Sequence, residues 1–189
     1  SAADNSCRSV CWASALTLYV AVSADGTDRV MTSPDGVTWT ARSVASTLWA
    51  SVCWSPELAL LVAVGDSSGA AGAMTSTDGT TWTARTTPTG GDYRSVCWSP
   101  DLTLFVAVGD AGLVMTSPDG VNWTAQTAAD ANDWQAVCWS PDLNLFCATA
   151  QTGIGNRIMT SPDGVNWVAQ VSPSDIQWSG VCWSPELLV

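Results

Sequence analysis

Residues 95–125 read SVCWSPDLTLFVAVGDAGLVMTSPDGVNWTA, and versions of this block recur along the whole chain. A period of this length means that one supersecondary unit is stacked against copies of itself, so the repeat decides the fold. A residue that is present in every copy is then expected to be structural. The landmark Val-Cys-Trp, at steps of 42, 44, 41 and 44 residues, ends at Trp12, Trp54, Trp98, Trp139 and Trp183. The second landmark, Met-Thr-Ser-x-Asp-Gly-x-x-Trp, begins at Met31, Met74, Met115 and Met159.

Each block contains four short runs rich in Val, Thr and aromatic residues, and no helical period. These runs, here strands A to D, are predicted in the first block near 8–13, 18–23, 29–33 and 37–41. The A–B turn Ser-Pro-Glu/Asp-Leu and the C–D turn Ser-Pro-Asp-Gly have the residue preferences of type I turns. The sequence therefore predicts an all-β protein, a β-propeller of four-stranded antiparallel blades, with four complete repeats and a partial fifth.

A single propeller domain, or a segment of one, is expected over residues 1–189, since no composition shift divides the chain. Its repeats span approximately 4–46, 47–90, 91–131 and 132–175, with the partial fifth over 176–189.

The charge is strongly acidic, with 17 Asp and Glu residues against six arginines, no histidine and a net charge of −11. Nucleic acid and anionic membranes are therefore unsuitable partners, because both require clustered cations. No apolar run approaches the ~20 residues of a membrane helix. Five of the seven cysteines hold one repeat position, which predicts reduced, buried side chains and no metal site or cofactor. Free thiols favour a cytoplasmic or virion setting.

The segment Ser-x-Asp-Gly-x-x-Trp resembles the Asp-box of the BNR repeat family, which includes sialidases and photosystem II assembly and stability factors. The Cys-Trp-Ser-Pro repeats are also similar to those of uncharacterised phage and bacterial propellers. Asp and Trp stand one residue closer here than is usual in the box. The resemblance implies a structural C–D turn whose Trp packs between blades. The residues concerned are Ser33, Asp35, Gly36, Trp39, Ser76, Asp78, Gly79, Trp82, Ser117, Asp119, Gly120, Trp123, Ser161, Asp163, Gly164 and Trp167.

Catalytic residues are not expected. A sialidase uses a Tyr nucleophile beside a carboxylate, but Tyr19 and Tyr93 both hold repeat positions, which predicts that they are core residues. The only glutamates, Glu57 and Glu186, lie in A–B turns where other copies have Asp. Without histidine, a Ser-His-Asp device is excluded.

The B–C and D–A loops vary in length between blocks, whereas the A–B and C–D turns hardly do. Variable loops on a fixed scaffold are where recognition is usually placed, and all six arginines map to that half of the block. The candidate ligand or partner face therefore contains Arg29, Arg94, Arg157, Asp66 and Asp110.

These observations favour a non-enzymatic binding or scaffold module that presents the variable loops to a glycan or a protein receptor. An engineered or excised repeat segment that self-assembles without a ligand is the alternative, followed by a sialidase-like glycoside hydrolase. The chain holds five A strands for four sets of B, C and D, which predicts a homo-oligomer, most simply two chains forming eight blades, with residues 176–189 at the seam.

Overall fold

A computed structural model describes residues 5–44, 47–67 and 71–184, which form sixteen strands and two single-turn 3-10 helices. The all-β prediction is confirmed. None of the helices in these ranges is long and apolar enough to cross a membrane. The strands are β1 Cys7–Ala13, β2 Leu18–Ser23, β3 Val30–Ser33, β4 Thr40–Arg42, β5 Trp49–Ser55, β6 Leu60–Ser67, β7 Ala73–Ser76, β8 Thr83–Arg85, β9 Gly91–Ser99, β10 Leu104–Gly109, β11 Leu113–Ser117, β12 Thr124–Thr127, β13 Trp134–Ser140, β14 Leu145–Ala150, β15 Ile158–Ser161 and β16 Val168–Gln170.

Each of the first four blocks folds into one antiparallel A-B-C-D meander, and these meanders are called blades one to four below. In blade three, Phe105 is the ladder partner of Trp98 on one side and of Ser117 on the other. The A strands pack side by side, β1 on β5, β5 on β9 and β9 on β13. Strand β6 also continues past its own blade and pairs with β9, which places Asp66 opposite Asp92.

The predicted position of strand D was wrong at its start. The sequence predicted residues 37–41, whereas β4 is Thr40–Arg42. The carboxylate of Asp35 accepts the backbone N–H groups of Val37 and Thr38, at 2.8 and 2.7 Å. Because these amides are used by the turn, they are not available to a strand ladder, and the strand begins later.

The core is divided between neighbouring blades. Every blade has a front face, which in blade three carries Tyr93, Val96 and Phe105, and a back face, which there carries Val106 and Val108. The front face of blade three packs on the back of blade two, and its back face packs under the front of blade four. The same arrangement joins blades one and two. One interface is therefore repeated three times.

The front face of blade one has no blade against it among the described residues. Tyr19 is 38% exposed, whereas Leu61, Phe105 and Phe146 at its repeat position are 0% exposed. The expectation that Tyr19 is a core residue was therefore wrong, because repeat position gives burial only where a neighbour is present. Val10 is likewise 58% exposed against 4–5% for its counterparts. A hollow of about 460 Å³ lies on this face.

The fifth block does not form the predicted strand A. Residues 176–184 have no strand, although the Trp178 N–H donates to the Ala150 carbonyl at 3.3 Å. Each A strand of the other blocks pairs with its own strand B, and the described chain offers block five none. Residues 185–189, which belong to the predicted seam, lie outside the described residues.

All seven cysteines are free thiols. Cys11, Cys53, Cys97 and Cys138 are partly buried where the A strands meet, and burial raises the pKa of Cys11 to about 12 and that of Cys138 to about 11. Cys182, which was expected to be buried, is exposed because its block is unpaired.

Candidate functional site

The four C–D turns share one pattern of hydrogen bonds. In blade three the Ser117 hydroxyl accepts the Gly120 N–H at 2.8 Å and donates to Asp119 Oδ1 at 3.0 Å. The Trp123 indole donates to the Gly120 carbonyl at 3.0 Å. Gly120 has φ +70°, and an added Cβ would lie 2.9 Å from Leu60 of blade two, so the turn requires glycine for conformation and for close packing.

The turn aspartates are stabilised as anions. The Thr38 and Val37 amides, with the Ser33 hydroxyl, lower the pKa of Asp35 to about 2. Partial burial opposes ionisation of Asp119, yet the donors of Asn122 and Val121 still hold its pKa at about 2. These carboxylates are occupied by their own turns, so the turn motif has a local structural role. Ser76 and Asp78 also line a hollow of about 310 Å³, and Trp39 lines the hollow on the front of blade one.

Two of the arginines support strands. Arg42 and Arg85 each donate from Nε to a threonine hydroxyl of strand C, at 3.0 and 2.9 Å. Gln126 and Gln170 make the corresponding bonds in blades three and four, both at 2.9 Å. The guanidinium charge is therefore not needed at this position.

A polar funnel opens where the A strands begin, on the side of the variable loops, and has a volume of about 340 Å³. Glycine shapes its wall: a Cβ on Gly65 would meet the Leu48 carbonyl at 2.2 Å, and one on Gly109 would meet that of Asp92 at 2.2 Å. Asp66 and Asp110 are the residues that follow these glycines. Asp66 lines the funnel, and Asp110 contacts the funnel residue Arg94. The funnel is lined by Arg8, Ala24, Leu48, Ala50, Asp66, Asp92, Arg94, Gln135, Gln151 and Ser179.

Arg94 organises the charges of this funnel. Its Nε donates to Asp110 Oδ1 at 3.0 Å, and its Nη2 contacts both Asp110 and, at 3.0 Å, Asp92. Gln135 Nε2 donates to the same Asp110 oxygen at 3.2 Å. Partial burial and the neighbouring Asp66 carboxyl raise the pKa of Asp92, so its anion is only partly compensated by Arg94.

The structure brings together three of the five residues predicted for the ligand face, namely Arg94, Asp66 and Asp110. Arg29 and Arg157 are elsewhere: their Nε groups donate to the carbonyls of Gly26 and Gly153 within B–C loops, at 3.1 and 2.8 Å. Arginine in a variable loop can bind its own loop as readily as a ligand, and sequence position does not distinguish the two.

The sequence prediction omitted several funnel residues, although comparison of the repeat copies could have identified them. Four residues before each anchor Trp the chain has Arg8, Ala50, Arg94, Gln135 and Ser179. This position changes its chemistry between blocks while its neighbours are nearly constant. All five residues line the funnel.

The tyrosines lie outside the funnel. Tyr93 is fully buried, its hydroxyl is 2.8 Å from Thr89 Oγ1, and burial raises its pKa. Tyr19 belongs to the front face of blade one and stacks near Trp12, with ring centroids 4.6 Å apart. Among the described residues, no group of three or more Cys, Asp or Glu is arranged to hold a metal ion.

Solved structures similar to this chain include YCF48 from Cyanidioschyzon merolae, at 16% identity and TM-score 0.67, over 95% of this chain and 60% of that one. Streptogramin B lyase matches at 8% identity and TM-score 0.70, over 89% and 54%. An auxiliary nutrient binding protein from Bacteroides thetaiotaomicron matches at 12% identity and TM-score 0.65, over 95% and 44%. These identities show the fold alone, and the chain spans less than two thirds of each of those proteins.

Comparison with curated proteins gave no match. The family model of the DUF6242 beta propeller domain matches residues 51–176, which include blades two to four. That span covers more than half of the sequence and agrees with the meanders described above. The chain therefore belongs to the family of the DUF6242 beta propeller domain.

Proposed function

We propose that this protein is a non-enzymatic binding module and that its polar funnel receives the ligand. The observation that carries the proposal is the Arg94 cluster. Asp92, Arg94 and Gln135 line one cavity from two blades, and Asp110 accepts from both Arg94 and Gln135. A volume of about 340 Å³ is at the lower end of the range for small-molecule sites. The propeller acts as the rigid scaffold.

A hydroxyl-rich ligand, such as a glycan residue, suits this cavity best. Carboxylates and amide oxygens accept from hydroxyl groups, while the guanidinium and the amide nitrogen donate to them. The partly uncompensated charge of Asp92 supplies a strong acceptor. A protein receptor that inserts a polar side chain into the funnel is the other candidate from the same chemistry.

We further propose that the protein does not catalyse glycoside hydrolysis. Neither tyrosine could act as a nucleophile in the funnel, because Tyr93 is buried in a blade interface and Tyr19 lies on the front face of blade one. Turnover of a fluorogenic sialoside that is lost in Tyr93→Phe would overturn this part. The resemblance of the turns to the Asp-box supports a structural role for the sixteen turn residues.

A matched pair of variants tests the site. Arg94→Gln removes the guanidinium from the funnel, whereas Arg85→Gln makes the same charge change where glutamine is the native residue of other blades. On a glycan array, with affinities then measured by calorimetry, we expect Arg94→Gln to weaken binding at least about tenfold and Arg85→Gln to leave it unchanged. Equal effects of the two variants would contradict the assignment.

If the array shows no binding, capture of a protein partner that is lost in Arg94→Gln but not in Arg85→Gln would support the receptor form of the proposal. A partner captured equally by both variants would mean that the funnel is not the binding site.

A further inference from the structure

Blade four has a second cysteine directly opposite the one that the repeat supplies. Cys138 is the cysteine of strand A, and its ladder partner on strand B is Cys147. In the other three blades the strand A cysteine has a valine as its partner. These pairs are Cys11 with Val20, Cys53 with Val62 and Cys97 with Val106. Of the strand residues that the structure describes, no other two cysteines are ladder partners.

The two cysteines form a hydrogen-bonded pair of the antiparallel ladder. The Ala150 N–H donates to the Arg157 carbonyl at 2.9 Å, on the side of strand C. The next N–H, that of Gln151, donates to the Asp133 carbonyl at 3.0 Å, on the side of strand A. Since these directions alternate along a strand, the backbone groups of Cys147 point toward strand A. The Cα atoms of such a pair are about 5.5 Å apart, and both side chains leave the same face of the sheet.

This spacing permits a disulfide between Cys138 and Cys147. Bridged cysteines usually have Cα atoms about 4.4–6.8 Å apart, so the two strands are already at bridging distance. The Cβ atoms of directly opposite residues are about 4.5–5.5 Å apart, whereas those of a bridge average roughly 3.8 Å. The bridge therefore closes with some strain, and strained disulfides are the more easily reduced ones.

The surroundings of the two thiols determine how fast they react. Both side chains are partly buried. Burial raises the pKa of Cys138 to about 11 and also raises that of Cys147. Because the thiolate is the reactive form, both thiols react slowly at neutral pH and faster in mild alkali.

We propose that Cys138 and Cys147 are a redox pair, which a low-molecular-weight disulfide converts into a reversible cross-strand bridge. One thiolate attacks a sulfur of the oxidant, which forms a mixed disulfide and releases one small thiol. The second thiolate attacks the protein sulfur of that bond, so the bridge forms and a second small thiol leaves. The cysteines lose two protons and two electrons, and the oxidant gains both. The bridge closes the A–B hairpin of blade four covalently, and the inference is independent of the funnel ligand.

The test incubates the full chain with oxidised glutathione at mildly alkaline pH. The remaining thiols are then blocked with iodoacetamide in denaturant, and peptides are mapped without reduction. We expect an intramolecular disulfide between Cys138 and Cys147, with the loss of two hydrogens from the mass of the linked peptides. Dithiothreitol in native buffer should remove this bridge without a change in the far-ultraviolet circular dichroism.

Two variants serve as controls. Cys147→Val makes blade four like the other three blades, so it should keep the native circular dichroism and lose the bridge. Cys182→Ser removes an exposed thiol that has no ladder partner, and it should leave the bridge in place. The inference is overturned if Cys138 is linked to Cys182 or to the cysteine of another blade. It is also overturned if Cys138 and Cys147 stay reduced, or carry only glutathione, after Cys182 has been fully modified.

Discussion

Blade one and blade three have the same local structure but different environments. Their C–D turns make the same bonds, from Ser33 to Asp35 at 2.9 Å and from Ser117 to Asp119 at 3.0 Å, and their ladders have the same register. Yet the side chain at one position of strand B is 38% exposed in blade one and 0% exposed in blade three. The repeat sequence is sufficient to shape a blade, whereas the core of that blade is completed by its neighbour.

The largest expected contrast is between Phe105→Ala and Tyr19→Ala. Phe105 is fully buried between two blades, so its truncation should lower the free energy of unfolding by about 3–5 kcal/mol. Tyr19 is 38% exposed, and its truncation should therefore cost less than half of that. Urea denaturation measures both. Equal losses would show that the front of blade one is covered.

Acid should destabilise the turns of both blades alike. The pKa values of Asp35 and Asp119 are about 2, below the usual value of an aspartate in an unfolded chain. Their anions therefore stabilise the fold above about pH 4, and this stabilisation is lost as the pH falls through about 2. Asp35→Asn and Asp119→Asn should each remove a similar part of the pH dependence seen by urea denaturation. If only one of the two variants reduced the pH dependence of stability, the two turns would not be equivalent.

An indole bond between blades offers a smaller contrast. Trp98 Nε1 donates to Glu57 of blade two at 2.7 Å, whereas Trp54 Nε1 is buried and has no partner among the described residues. Glu57→Ala makes the junction of blades two and three resemble that of blades one and two, and should lower the free energy of unfolding by about 1 kcal/mol. Glu57→Gln, which retains an acceptor, is the matched control and should lose less. If the two variants unfold at the same urea concentration as the native chain, the Trp98 bond does not join the blades.

The reactivity of the thiols should differ between the two ends of the chain and its middle. This comparison needs no substitution and therefore no change in stability. Cys7 and Cys182 are exposed, whereas burial raises the pKa of Cys53 and Cys97 well above that of a free thiol. Since the thiolate is the reactive form, we expect iodoacetamide at mildly alkaline pH to label Cys7 and Cys182 first. Peptide mass mapping gives the order. Early labelling of Cys97 would place it outside the packed A strands.

Much of this fold was predictable because every block repeats the same strong local sequence preferences for strands and turns. Short runs rich in Val, Thr and aromatic residues predicted the strands, and the Asp-Gly pair predicted the C–D turn, where Gly36 and Gly120 have φ of +73° and +70°. The A–B turn was also predicted, but its left-handed residue was not. There Ala59 and Thr103 have φ of +47°, although neither is a residue that signals a left-handed conformation.

The structure departs from the predictions where position in the repeat does not determine a side chain's surroundings. Tyr19 has the sequence context of a core residue but is exposed, because no blade packs on it among the described residues. Arg157 has the context of a ligand residue, and only the geometry of its own loop places the Gly153 carbonyl 2.8 Å away. Arg94 was included in the predicted ligand face and lines the funnel, but its partner Asp92 was missed because β6 and β9 pair across two blades.

Amide hydrogen exchange in the B strands is the most direct test of the claim that a neighbouring blade completes each core. In dilute solution β10, enclosed on both faces, should exchange slowly, and β2, open on its front face, should exchange on the order of ten to a hundred times faster, since protection follows local opening. Equal protection of β2 and β10 in dilute solution would contradict the account.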